Sequence, residues 1–233
     1  MGQEWVRQHN LNLRFFRAAS LGDAGAARRA VLQGADPNAR WSEGKEISSI
    51  FDVGSIFAHY ENRSQGVQPT ALIASAKAGM SDVVKMLIDR GAHVNSRASN
   101  DETPLMAATR MDSGTIGMLI DRGAELEARN VDGETALLVA ARQGDMEGAS
   151  VLIQRGADVN ARAKNDVTAL HLAISRNSPE IAKLLLNHGA DATAKTRGGH
   201  TPLDHIDRSR QPELAALLEM RDSNHTQHRH QGE

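Results

Sequence analysis

The sequence predicts an all-α fold, a solenoid of stacked helix-turn-helix units, and three observations carry that prediction. Two short phrases recur in step at a period near 33 residues, a leucine stripe travels with them, and aromatic residues make up only 3% of the 233 residues, so the core must be aliphatic.

The first phrase is Gly34-Ala35-Asp36-Pro37-Asn38-Ala39-Arg40. It returns at Gly91 to Arg97, Gly123 to Arg129, Gly156 to Arg162 and Gly189 to Lys195, with glycine spacings of 57, 32, 33 and 33. The second is Thr70-Ala71-Leu72, repeated at Thr103, Thr135, Thr168 and Thr201 at spacings of 33, 32, 33 and 33. Each threonine suits a helix N-cap, and the Pro or Ala after it stands where a missing N–H costs nothing. Leu72, Leu105, Leu137, Leu170 and Leu203 then form the buried stripe, with Phe15 in register upstream. A glycine or polar residue nine positions after the threonine (Gly79, Asp112, Gly144, Asn177) turns the chain into a second helix, such as Ser81 to Arg90 with Val84, Leu87 and Ile88 on one face. Gly-Ala-Asp ends that helix, its glycine supplying a left-handed backbone.

Taken in order, the units are a degenerate first one from about Asn12 to Arg40, four regular ones, and a cap from Thr201 to about Met220 in which Pro212 opens the last helix. The third repeat, which begins at Thr103, is one residue short and carries Gly114 and Gly117 in its second helix, each costing about 1 kcal/mol against Ala. That unit is expected to be the weakest. Residues 1–220 are expected to form one repeat domain, and 221–233, with His225, His228 and His230, a disordered polar tail.

The phrases Thr168-Ala169-Leu170-His171-Leu172-Ala173 and Gly156-Ala157-Asp158-Val159-Asn160 resemble those of the ankyrin-repeat family, over roughly residues 10–220. The resemblance implies six helix pairs joined by β-hairpin fingers, and binding of another protein through the finger tips and a concave groove of inner helices. The tips would be Ser99 to Glu102, Val131 to Glu134, Lys164 to Val167 and Arg197 to His200. Seven and eight residues after each threonine, at the lip of the inner helix, stand Lys77, Arg110 with Met111, Arg142 with Gln143, and Arg176. This basic ridge either serves helix C-termini or attracts an acidic partner. His171 takes the family's histidine place, where the ring hydrogen-bonds neighbouring loops.

Between Arg40 and Thr70 the chain carries an insertion, residues 42–65, at the first finger. Trp41, Phe51, Phe57 and Tyr60 lie in or beside it, four of the chain's few aromatics. They suit a partner-binding anchor, since aromatics dominate interface hot spots, and equally suit a plug folded back between the first two units.

A formal net charge of -2 and a pI near 6.6 provide no field for nucleic acid. Without cysteine there is no thiol chemistry or disulfide. No signal-peptide core or membrane-length apolar run occurs, which points to a cytoplasmic protein, or to an exported one whose signal has been removed. Gly44-Lys45 lacks the upstream glycine of a phosphate loop, His59 to Arg63 is not a zinc-peptidase helix motif, and no G-x-S-x-G occurs. No catalytic residue, cofactor or metal site is predicted. The expected function is that of a monomeric, non-catalytic scaffold, either an adaptor or an inhibitor or immunity protein occluding a partner enzyme. The alternative is an effector or regulatory module acting on a host or signalling protein.

Overall fold

The computed structural model describes residues 2–41, 69–109, 111–209 and, near the C-terminus, 212, 214–216, 218 and 219. These form two compact units, Met1–Glu125 and Leu126–Glu233.

In the first unit α1 (Gly2–Ser20) and α2 (Ala24–Leu32) are followed by α3 (Ala71–Lys77) and α4 (Ser81–Asp89), then α5 (Pro104–Ala108) and α6 (Ser113–Asp121). Inner helices α1, α3 and α5 pack in series, as do outer helices α2, α4 and α6. The second unit repeats the plan with α7 (Ala136–Gln143), α8 (Met146–Gln154), α9 (Ala169–Ser175) and α10 (Pro179–Asn187), closed against α9 by a 3-10 turn, Pro202–His205. Among the described residues no strand forms. Isolated bridges Arg40 to Thr70 and Arg162 to Thr168 close two finger bases.

The stripe read from the sequence is the core: Phe15, Leu72, Leu105, Leu137 and Leu170 are all fully buried. Leu203 departs from it. It is half-buried, because the cap opens not with an α-helix but with the short 3-10 turn, which ends at extended Ile206. Pro212 does stand in helix. The first helix also begins earlier than expected, at Gly2 instead of near Asn12. Its polar first turns find partners: Trp5 stacks on His9 at 5.1 Å, and the Gln8 amide donates to the Gly34 carbonyl at 2.8 Å.

Asparagines of the glycine phrase clamp successive repeats. Asn38 donates to the Gly91 carbonyl and accepts from the His93 N–H; Asn95 serves Gly123 and Glu125 in the same way, and Asn160 serves Gly189 and Asp191. An amide is needed, since each clamp gives one hydrogen bond and takes one. At the corresponding place Glu127 accepts from the Asp158 N–H at 2.9 Å but, as a carboxylate, has nothing to donate.

The short unit departs from the others at Asp112. In the other regular units a left-handed residue links inner to outer helix: Gly79 (φ 69), Gly144 (φ 79) and Asn177 (φ 56). Asp112 was expected in that role, yet its φ is -158 and it is the N-cap of α6, accepting from the Gly114 N–H at 2.9 Å. Asp112 therefore caps α6 and does not supply the left-handed turn. Helix α5 ends at Ala108, with Thr109 already extended. Hydroxyls of Ser81 and Thr115 also donate to Asp112 and hold its carboxyl below the usual aspartate value.

Candidate protein-binding surface

Trp41 leaves the first finger with its N–H donating to the Pro69 carbonyl at 3.0 Å, and its ring meets the buried ring of Phe16 edge-on at 5.7 Å. The described end of the aromatic group is therefore anchored in the first unit, half-buried. Phe51, Phe57 and Tyr60, with the rest of the insertion, lie outside the described residues, as do Arg110 and the histidines of the tail.

In the second repeat, counting the degenerate first one, Lys77 closes the last turn of α3, where its charge complements the helix carboxyl end. Its ammonium lies 3.5 Å from Glu102, which immediately precedes Thr103. In the fourth, Arg142 stands in the last turn of α7 and grips Glu134, the residue before Thr135, with Nε to Oε1 at 2.7 Å and Nη2 to Oε2 at 3.1 Å. Glu134 is nearly buried and also accepts from the Asn130 amide, so this bidentate pair is a fixed piece of the finger base. Gln143 follows it, half-buried.

Arg176, the C-cap of α9, is exposed. Met111 is 55% exposed. The sequence register placed Met111 on an inner-helix lip, but α5 has already ended at Ala108, so Met111 belongs to the turn, against Gly79 of the preceding unit. The expected ridge thus divides into cations tied to glutamates, Lys77 and Arg142, and a cation standing in solvent, Arg176. Sequence reading missed the glutamates. Their signal was available: Glu102 and Glu134 occupy the same place, directly before the capping threonine.

Among the described residues no cluster of His, Asp or Glu is arranged to hold a metal, and no helix is long and apolar enough to cross a membrane. His171 makes the loop contacts expected of it, to Thr168 behind it and to the His200 carbonyl at 3.2 Å.

No curated protein matches the chain. A family model for ankyrin repeats (3 copies) matches residues 15–130, 72–163, 114–196 and 161–226, which together span the described helices from the last turns of α1 onward. Helix pairs, capping threonines, asparagine clamps and that match agree, and the chain belongs to the ankyrin-repeat family.

Proposed function

We propose that the protein is a non-catalytic binding scaffold that holds another protein, and that it acts as an adaptor or as an inhibitor occluding a partner enzyme. Repeats of this family generally mediate protein–protein interaction, and the match over residues 15–226 is the observation that carries the reading. The inhibitor or immunity role rests on the finger insertion, whose anchored aromatic base suits a wedge entering a cleft. Within the first unit the contact residues would be Trp41, Met111 and the insertion aromatics, with Lys77 and Arg110 at the rim. Within the second they would be Arg176 and Gln143, with Arg142 positioned by Glu134.

The test uses a partner captured by the full chain and then purified. Affinity is measured for the full chain, for a chain lacking residues 42–65, and for Arg176→Glu and Met111→Glu. Loss of affinity in any of these with an unchanged melting curve supports the reading, and activity of a captured enzyme with and without the full chain distinguishes inhibitor from adaptor. Unchanged affinity in all three variants would overturn the assigned surface.

A further inference from the structure

Three imidazoles meet at the end of the second unit. His171 is buried in the first turn of α9, the edge of His205 lies 6.2 Å from it between ring centroids, and His200 lies 5.6 Å from His205. Hydrogen bonding fixes the form of the central ring. Its Nδ1 faces the backbone N–H of Thr168 at 3.3 Å and the Thr168 hydroxyl at 2.8 Å, and a backbone N–H can only donate. Nδ1 is therefore the bare nitrogen. Its Nε2 faces the His200 carbonyl at 3.2 Å, which can only accept, so Nε2 carries the proton. One neutral ring thus ties the N-cap of α9 to the loop that leads into the terminal turn.

We propose that this neutral His171 bridge is a pH-sensitive latch, which holds the terminal turn Thr201–Ile206 on α9 near neutrality and releases it on acidification. A proton on Nδ1 converts the acceptor into a donor opposed to the Thr168 N–H, inside a buried site that cannot rehydrate the charge. The surroundings do not welcome it. His205 from the turn and Arg162 from the finger base oppose the charge; the His200 carbonyl and Asp191 favour it, but burial outweighs them. Asp204, the carboxylate of the turn itself, is committed to the N–H and hydroxyl of Thr201 at 2.7 and 2.9 Å. Helix α7 presents buried apolar residues from Ala136 to Ala141, and α10 presents Ile181, Ala182, Leu185 and Leu186, with Glu180 and Lys183 exposed.

Burial, with those cations, holds the His171 imidazole below its ordinary value of 6.5. The unfolded ring therefore takes up its proton first as pH falls. The contribution to stability is complete above about 6.5 and is lost as pH drops from there through the folded value.

Native-state amide exchange, corrected for the intrinsic rate, reads the latch at Leu172, whose N–H donates to the Thr168 carbonyl, and at Thr196, whose N–H donates to the His200 carbonyl. Between about pH 7.5 and about pH 5 both amides should lose protection along the NMR titration of the His171 ring, while Ala107 in the first unit keeps its own. In His171→Gln the glutamine amide can reach back to Thr168 without titrating, and protection should be flat across the range. In His200→Gln/His205→Gln, which spares the carbonyl, the His171 titration and the loss of protection should both move to higher pH. Protection that persists in the native protein below the His171 titration overturns the latch. So does a His171→Gln chain that loses protection as the native one does, or a double variant whose titration does not move.

Discussion

Five threonines hold the same repeat position, and the structure gives them different bonds. Thr70 and Thr103 accept from the N–H groups of Ile73 and Met106, each at 3.3 Å. Thr168 and Thr201 are answered by side chains, His171 and Asp204, that reach back from three residues on. Thr135 has neither: its hydroxyl is buried and has no hydrogen-bond partner. A cap that bonds a helix N–H is worth about 1 kcal/mol, whereas a buried hydroxyl without a partner costs about 1–3 kcal/mol. Replacing Thr103 with Val should therefore destabilise by about 1 kcal/mol, and the isosteric Thr135→Val should be neutral or stabilising. Urea unfolding at neutral pH decides it; equal losses at both positions would contradict the bonding described here. All five threonines looked equivalent in the sequence, because a cap is recognised by residue type and its hydrogen bond depends on where the next N–H points.

At the scale of the element, the asparagine clamp and the short link after α5 are two ways of joining helices, and each predicts a gain. Glu127→Asn restores a donor toward Gly156 and should stabilise by about 0.5–1.5 kcal/mol, the net value of one intramolecular hydrogen bond, while Asn160→Ala should lose a similar amount or more. Thermal unfolding of the two variants checks both signs. The short unit is expected to be improved by inserting one glycine between Met111 and Asp112, which restores the 33-residue period and offers the left-handed backbone seen at Gly79 and Gly144. Gly114→Ala is not expected to help in the way helix propensity alone suggests. A Cβ there would stand 3.1 Å from the Asp112 oxygen that caps the helix, and the residue lies in the first turn, where propensity weighs little. The period made the helix pairs, the stripe and the clamps legible before any coordinates. It also misled at Asp112, a polar residue at the ninth place that fits a turn as well as a cap, and so hid the shortening of α5 and put Met111 on a helix. The early start of α1 was illegible because its side chains, Trp5 apart, are mostly polar, and their partners lie in the next turn or the next helix.

For the molecule as a whole, stability in a repeat protein is a sum over neighbouring repeats, so a cavity at one interface is felt in full. Leu137→Ala or Leu170→Ala, both at fully buried positions of the second unit, should cost about 2–5 kcal/mol. The finger insertion behaves differently, because the hydrogen bonds that close its base are made without it. The N–H of Trp41 donates to Pro69 at 3.0 Å and that of Ala71 to Ala39 at 2.9 Å; the later fingers close likewise, Ala98 on Glu102, Asn130 on Glu134 and Ala163 on Val167. Trp41 itself meets Phe16, a residue outside the insertion. Removing residues 42–65 leaves Gly66, Val67 and Gln68 to span the tip and shortens the closed loop several-fold, which lowers its closure entropy cost by about 1–2 kcal/mol. The shortened chain is therefore expected to melt no lower than the full one, with the insertion serving recognition and not the core. A markedly lower melting temperature would show instead that its aromatics pack as a plug, and would withdraw the wedge from the proposed function while leaving Arg176 and Met111 as its contacts.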